Sequence, residues 1–346
     1  MIQYSPLVPY ALAGELGVKY HRDFDRIMNA ALRKTGFDRV FLSGTGTDIL
    51  ITELADALIS SRDRADKKPL VVSACPAWVK YCEQFTPELL PLLSTLKTPQ
   101  QISGAIIKSV VPATADKSRV YTVSVTPCTA MKFEARRDSM TRKGISDIDT
   151  VLTVRELARL IILYGIDITN IDPEPADEPM ALRSSASLLA EAAGGITESV
   201  LRSIAVRAGE KEADKPAVKR LRNNGSFREA MVTAGGVTYT VAVVDGLKGL
   251  EKLRQMLDGG THYDLVEVMA CPGGCVNGGG MLPAGSKEAV RLRSRFIWQT
   301  DDQEAVRGPE QSASVSDLYG KVFEQCSELA DKTLFHTHFS KRDVLL

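Results

Sequence analysis

Residues 265–280 read Leu265-Val266-Glu267-Val268-Met269-Ala270-Cys271-Pro272-Gly273-Gly274-Cys275-Val276-Asn277-Gly278-Gly279-Gly280. A β-branched apolar run stops at a cysteine, and a loop with five glycines among nine residues follows. The same arrangement occurs twice upstream, in Val71-Val72-Ser73-Ala74-Cys75-Pro76-Ala77-Trp78 and in Thr122-Val123-Ser124-Val125-Thr126-Pro127-Cys128. Each thiol sits where a strand gives way to a loop. In open α/β sheets, ligands gather outside the carboxyl ends of the strands, so Cys75, Cys128, Cys271 and Cys275 are expected to converge there. The glycines let backbone approach a bulky inorganic group closely and offer amide donors to it.

Outward from these junctions, short apolar runs alternate with helical patterns. The runs are Arg39 to Leu42, Pro69 to Val72, Val120 to Val125, Thr150 to Thr153, Tyr239 to Val244 and Leu265 to Met269. Helical spacing is present over Asp48 to Ser61, Pro99 to Val110, Val154 to Tyr164 and Thr197 to Arg207. The alternation predicts an α/β fold of mainly parallel sheet flanked by helices; read as two lobes, it leaves the cleft between them as the place for a metal cluster on the converging thiols. Residues 1–346 form one domain in this reading, with a first lobe over 1–166, a second over 180–285 and a C-terminal helical wrap over 286–346. Asp167 to Pro179 is expected to be a solvated connection at the lobe boundary, and Gly209 to Lys219 another.

Forty-three basic residues balance forty-three acidic ones in the 346 residues, so no long-range field draws nucleic acid or an anionic membrane. No apolar run reaches the roughly 18 residues of a membrane span, and no basic segment with an apolar core opens the chain. The expectation is a cytoplasmic protein without membrane or nucleic-acid partners. Six cysteines, scattered over the chain, do not make the disulfide framework of a small secreted domain. Four soft thiolates suit zinc or an iron-sulfur cluster, and softness alone does not choose between them or against an empty site. Cys82 and Cys326 fall in helical segments and read as small buried apolar residues. The histidine pair His336 and His338 reads as packing or hydrogen bonding.

The ordered segments Ser73-Ala74-Cys75-Pro76-Ala77-Trp78, Pro127-Cys128-Thr129-Ala130-Met131-Lys132-Phe133-Glu134 and Glu267 to Cys275 with its glycine tail resemble the three signatures of the FeFe hydrogenase catalytic domain. The likeness extends to Ser5-Pro6, Gly14-Glu15-Leu16-Gly17, Thr98-Pro99-Gln100-Gln101, Thr153 to Ala158, Gly194-Gly195 with Glu198, and His336-Thr337-His338. The resemblance implies that Cys75, Cys128, Cys271 and Cys275 ligate a 4Fe-4S cluster, with Cys275 bridging to a di-iron subcluster. That unit carries carbon monoxide, cyanide and a bridging azadithiolate, and the whole assembly is the H-cluster. Pro6, Thr98, Pro99, Gln100 and Met269 take the positions of its protein contacts. Each also has a plain structural reading, as turn prolines, a helix-start glutamine and an adaptable core methionine.

Several positions depart from the family. Its first motif has two adjacent cysteines, the earlier of which passes protons to the dithiolate amine, and this chain has Ala74 there; a methyl group exchanges no proton. Leu54 and Ala57 replace two relay acids. Met131 stands where a lysine donates to cyanide, with Lys132 one place later. Thr126 replaces a common methionine, and Ala190, followed by the polar Glu191, a common phenylalanine. These changes imply a sensory-type subgroup: reversible activation of dihydrogen to protons and electrons, slow, and used for hydrogen sensing. Electrons or signals would pass to a separate electron-transfer or signalling protein, and hydrogenase maturases would supply the di-iron unit. The competing readings are an iron-sulfur assembly or scaffold protein of the same fold and a zinc-binding module.

Overall fold

The computed structural model describes residues 1–61, 68–110, 120–211, 215–223, 225–323 and 332–344. The chain opens with β1 (Ile2–Tyr4), α1 (Val8–Glu15), α2 (Phe24–Lys34), β2 (Val40–Leu42) and α3 (Gly44–Ser61). It continues through β3 (Leu70–Val71), α4 (Pro76–Phe85), α5 (Pro99–Val110), β4 (Val123–Thr126) and α6 (Ala130–Glu134). A small hairpin, β5 (Thr141–Arg142) and β6 (Ile145–Ser146), leads to β7 (Thr150–Thr153), α7 (Val154–Leu163), α8 (Ser185–Leu189), α9 (Gly195–Arg207) and α10 (Lys215–Lys219). Then come β8 (Phe227–Ala234), β9 (Val237–Asp245), α11 (Leu250–Asp258), β10 (Leu265–Met269), α12 (Lys287–Gln303) and α13 (Ala313–Asp317).

Two four-stranded sheets form the frame, in the orders β2-β1-β4-β7 and β3-β10-β9-β8. Every pairing in the first is parallel, as are β3 with β10 and β10 with β9. Within these two sheets only β8 runs antiparallel to its neighbour. The expected α/β class with helix-flanked parallel sheet is thus the observed one, and β7 and β10 have the expected limits. The sheets do not follow chain order. Leu70 pairs with Leu265, so β3 leaves the company of β1, β2 and β4 and lies in the second sheet.

A helical layer of α3, α5, α8 and α9 fills the space between the sheets. Helix α3 is apolar on nearly all sides, and its Ile49, Leu50, Ile51, Leu54 and Leu58 are buried with Ile102, Ile106, Val200 and Ile204. A helix hydrophobic all round belongs inside; each such side chain contributes about 1.5–3 kcal/mol on burial. Outer layers close the other faces: Leu12, Met28, Leu32 and Leu157 on the first sheet, Trp78, Leu250 and Leu253 on the second.

Two strands carry no clear signal in the sequence. β1 has three residues, too few for periodicity. In β8 the buried positions are Arg228, Ala230, Val232 and Ala234 while Met231 faces solvent, which blurs the alternation. Arg228 tolerates burial because it pairs with Asp245 at 3.0 Å and donates to the carbonyl of Ala193 at 2.9 Å.

The expected solvated connection over Asp167 to Pro179 is instead partly latched to the edge of the first sheet. The Val40 amide donates to Asp177, the Asp177 amide donates back to the Val40 carbonyl, and Arg33 pairs with Glu174 and Asp177 at 2.6 Å. These bonds cover an edge strand that would otherwise present unpaired groups. In Gly209 to Lys219, residues 212–214 lie outside the described residues, and Ala217 and Val218 are buried rather than solvated. Near the C-terminus, Phe335 and Thr337 bond to Lys97 and Thr95, and His336 Nδ1 meets Thr95 Oγ1 at 2.7 Å.

Helix α12 is held by Asp301. Its buried carboxylate accepts from Ser185 at 2.6 Å, and pairs with Arg222 at 2.7 Å, Arg307 at 3.0 Å and Arg202 at 3.1 Å. Burial alone pushes its pKa up, but the arginines and Ser185 outweigh that and hold it below the usual carboxylate range. Asp301→Ala is therefore expected to lower the unfolding free energy by about 3–5 kcal/mol at pH 7, by leaving buried guanidinium groups unpaired. Because the folded pKa is depressed, the wild-type advantage is complete above the unfolded value of about 3.9 and is lost as pH falls through the folded one. Denaturant titrations of both proteins at a series of pH values check this.

Candidate metal centre

The three cysteine junctions meet between the sheets. Cys75 has extended backbone and precedes Pro76, whose fixed φ suits the first turn of α4. The amides of Ala77, Trp78 and Ala270 point at its sulfur. Cys128 follows β4 by two residues, and the amides of Ala130 and Met131, at the start of α6, point at its sulfur. Cys271 lies two residues beyond β10, the strand beside β3, and Cys275 opens a short turn in the same loop.

Burial and neighbouring thiols raise the pKa of Cys128, Cys271 and Cys275. Burial pushes Cys128 up to about 12, with Cys75 and Cys271 adding to it, and Cys271 up to about 11, with Cys75 adding. Cys275 is raised by burial, then by Glu191 and the other three thiols, and Cys75 mainly by burial. Among the described residues, no three His, Cys, Asp or Glu side chains gather as they would round a single metal ion.

The glycines of this loop meet protein backbone. A Cβ on Gly274 would stand 2.7 Å from the Ala193 nitrogen and the Glu191 oxygen, and its φ of +87° is itself a glycine conformation. A Cβ on Gly278 would stand 2.3 Å from the Pro127 oxygen. The Cys275 amide donates to the Glu191 carbonyl at 2.8 Å, and the Gly280 amide to that of Pro127 at 2.8 Å. The loop is therefore clamped between residues 191–193 and the turn before Cys128.

Beside Cys275 lies a small hollow of about 50 Å³ lined by Ala74, Pro99, Gln100, Thr126, Met131, Ala190, Met269 and Cys275. Eight residues singled out from the sequence thus share one wall. Three others do not line it. Lys132 turns to the surface, where its ammonium pairs with Glu156 at 2.7 Å, so it does not stand in for a lysine at position 131. The Thr98 hydroxyl donates to Glu134 at 2.7 Å, and Pro6 is buried outside the lining. Of the altered relay positions, Leu54 is fully buried in the central core.

Ser5, Ser43, Thr47, Ser124, Ser187 and Glu191 complete much of the lining. Glu191 is the residue that sequence reasoning undervalued. It is the one acid on this wall, half a turn beyond α8; it accepts from Ser5 Oγ and from the Cys275 thiol. Burial pushes its pKa up, against those two bonds. The signal was an acid set within Leu188-Leu189-Ala190-Glu191-Ala192-Ala193, a stretch with no other polar side chain. A second acid, Glu134, is buried behind Gln100 and pushed up to about 7 by burial, against bonds from Thr98 and Gln101 and the charge of Arg137. Gln100 donates to the Met131 carbonyl at 3.3 Å, while its own Oε1 is buried with no partner among the described residues. An orphaned acceptor facing a hollow fits a bound group that carries a donor.

A family model described as the iron only hydrogenase large subunit, C-terminal domain, matches residues 1–279. Iron hydrogenase 1 of Clostridium pasteurianum is 32% identical over 349 residues, which cover 99% of this chain and 61% of that protein. The chain thus spans about three fifths of that relative's length. Cytosolic iron-sulfur assembly component 3 of Mus musculus is 30% identical over 339 residues, covering 92% of this chain and 69% of the relative. An FeFe hydrogenase variant from Chlamydomonas reinhardtii superposes with a TM-score of 0.80 at 27% identity, covering 99% of this chain and 94% of that one.

Serine at Cys75, Cys128, Cys271 or Cys275 is expected to lower the iron taken up on anaerobic reconstitution. Cys82 is buried against Trp78 and Val79, with its thiol bonded to the Thr86 carbonyl at 3.3 Å. Cys82→Ser should leave iron uptake near wild type. Iron analysis and visible absorbance read both, and an empty Cys82→Ser protein beside a full Cys75→Ser one would reverse the assignment. Cys326 lies outside the described residues.

Proposed function

Since the chain belongs to the iron-only hydrogenase family, matching the C-terminal domain of its large subunit, we propose that it activates dihydrogen slowly and reversibly, as a hydrogen sensor. In this reading Cys75, Cys128, Cys271 and Cys275 hold a 4Fe-4S cluster, and the hollow beside Cys275 takes the di-iron subcluster with its carbon monoxide, cyanide and azadithiolate. When bound, that unit supplies the heterolytic cleavage of dihydrogen to two protons and two electrons. The carrying observation is the hollow itself, which has a thiol at one end, an unpaired Gln100 acceptor on its wall and a single acid.

The rest is the work of this chain's own residues. Ala74 lines the hollow and neither takes nor gives a proton. Glu191 is the group on that wall able to hold one, at its carboxylate, and Ser5 Oγ is the hydroxyl bonded to it. A positioned acid-base group contributes roughly 10² to 10⁴-fold. A carboxylate reached through one hydroxyl, with no second acid on the wall, supports turnover below that of a chain with a thiol at position 74. Slow turnover suits a sensor, whose reduced state must last long enough for a partner to read it. Met131 and Ala190 make the wall apolar where a cation and an aromatic ring are usual in the family.

A second reading, an iron-sulfur assembly or scaffold protein without the di-iron unit, draws on the likeness to the assembly component. Infrared spectra after incubation with a synthetic di-iron complex separate the two. Bands from bound carbon monoxide and cyanide support the hydrogenase reading; iron at four per chain with no such bands supports the scaffold.

In the loaded protein, Glu191→Gln is expected to lower hydrogen evolution from a small-molecule reductant on the order of a hundredfold, with iron content and infrared bands preserved. Ala74→Cys should raise it. Unchanged turnover in Glu191→Gln would remove the carboxylate from the proton path. Met131→Lys should shift the ligand stretching bands and slow loss of the bound unit, because it restores a charge-assisted donor in a dry wall; unmoved bands would mean that the side chain does not reach the group.

A further inference from the structure

The two main sheets have four edges, and three of them are latched or short. Strand β2 is held by Asp177, β7 has four residues, and β3 has two and is bridged to Leu93. The fourth edge, β8, runs for eight residues with no proline or lysine among them. Natural sheets commonly blunt such an edge with charge, proline, a bulge or a covering element. Met231 lies in the middle of it, 66% exposed, and is the one exposed large apolar side chain on a strand among the described residues.

The hairpin decides which backbone groups face outward. Strands β8 and β9 are joined by Gly235 and Gly236, both at positive φ (+59° and +72°), so Ala234 and Val237 close a two-residue turn. Residues flanking such a turn exchange both ladder bonds, and bonded pairs alternate from there. Ala234, Val232, Ala230 and Arg228 therefore spend their amides and carbonyls on β9, while those of Thr233, Met231 and Glu229 point away from the sheet. None of the latter three finds a backbone partner among the described residues. Helix α10 packs against the inner face, where Ala217 and Val218 join Ala230, Val232 and Ala234 in the core. The outer face carries a single charge, Glu229, whose carboxylate accepts from Tyr263 at 2.7 Å.

We propose that β8 is a dimerisation edge, to which a second copy of the chain adds its own β8 antiparallel and centred on Met231. The inference goes beyond the hydrogenase reading and does not depend on the metal. A two-fold contact needs a surface complementary to itself, and this edge is. In the Met231-centred register the two Met231 side chains lie together, and Glu229 of each copy faces Thr233 of the other. No charge meets its like, and the outward amides and carbonyls of these residues satisfy one another. On the inner side Ala230 meets Val232 across the junction and extends the apolar core. This match selects a second copy over an unrelated extended segment, which would share only the backbone bonds. In the order β3-β10-β9-β8 the strand leading to Cys271 is third from the junction, so one continuous sheet joins the two thiol clusters.

The test is sedimentation velocity of the full chain from micromolar to submillimolar concentration, where a monomer–dimer equilibrium is expected. Met231→Pro removes an outward amide that β9 does not use, and should weaken association at least about tenfold. Thr233→Glu, which sets a carboxylate opposite Glu229, should also weaken it, whereas Thr233→Lys should tighten it, and salt should shrink both effects. Position 233 is exposed, so this pair keeps the test open if proline disturbs the hairpin. Hydrogen exchange should show the amides of Glu229, Met231 and Thr233 gaining protection with concentration, and those of Arg228, Ala230 and Val232 protected throughout. A wild-type chain that stays monomeric at submillimolar concentration would overturn the proposal. A dimer indifferent to Met231→Pro would place the contact elsewhere, and one shifted alike by the two Thr233 variants would refute the register. Edge amides protected only by an added β-strand peptide, with the chain still monomeric, would make this a peptide site and overturn the dimer.

Discussion

A backbone contact that admits no side chain holds the centre of this protein together. The loop from Cys271 to Gly280 passes between the 191–193 turn on one side and Pro127 on the other, and at Gly274 and Gly278 a Cβ would fall inside van der Waals range of main-chain atoms. Two of the loop's amides donate across this gap. Cys271 and Cys275 descend from the second sheet, Cys128 from the first, so the clamp sets the spacing between sulfurs of different sheets. A larger residue at either glycine would move Cys275 and open the hollow beside it. The glycines thus serve the inorganic group indirectly, by fixing the protein around it.

Buried carboxylates organise the same region. Glu267, within β10, accepts from the Gly194 and Thr197 amides at 2.8 Å and from the Thr197 hydroxyl at 2.9 Å, which ties the start of α9 to the strand leading to Cys271. Asp48, on α3, accepts from the Ser184 amide and hydroxyl just before α8; burial pushes it up to about 7, against those bonds. Charged acceptors of backbone amides are worth roughly 1.5–3 kcal/mol each, and leaving such a group unpaired costs more. The helical layer is therefore pinned at its ends, and the hollow's walls come from pinned segments. Glu191 sits in this layer but spends its carboxylate on Ser5 and a thiol instead of on a helix end.

One residue of register accounts for much of the hollow's character. Successive residues on a helix point about 100° apart. Met131 therefore reaches the hollow while Lys132, next on α6, reaches Glu156 at the capped start of α7. The acid–lysine pair helps set the junction of α6 and α7, and the wall is left neutral. Ala74 and Ala190 widen the same space with methyl groups, and acidity enters from the 190–193 turn, whose backbone already holds the Cys275 loop. The acid on the hollow and the clamp on the Cys275 loop thus share a few residues.

Local sequence carried the junctions. A β-branched run ended by cysteine and proline or glycine reads as a strand giving way to a loop, whatever surrounds it, and the starts of α5 at Pro99 and α7 at the Thr153–Glu156 capping box are equally local. The sheet class and the convergence of the four thiols were legible for that reason; the hollow's lining residues came from family likeness, which also chose among metals where sulfur softness did not. Strand partnership was not legible: β3 is two residues long, and only packing in three dimensions sets it beside β10. Nor was β8, since an inward arginine needs the distant Asp245 to be tolerable. The approach of Glu191 to Cys275 and the turn of Lys132 away from the hollow both involve positions far apart in the chain or facing different ways. Sequence states what each residue prefers nearby; which buried acid meets which thiol is settled by non-local packing, where burial must be satisfied for every polar group at once.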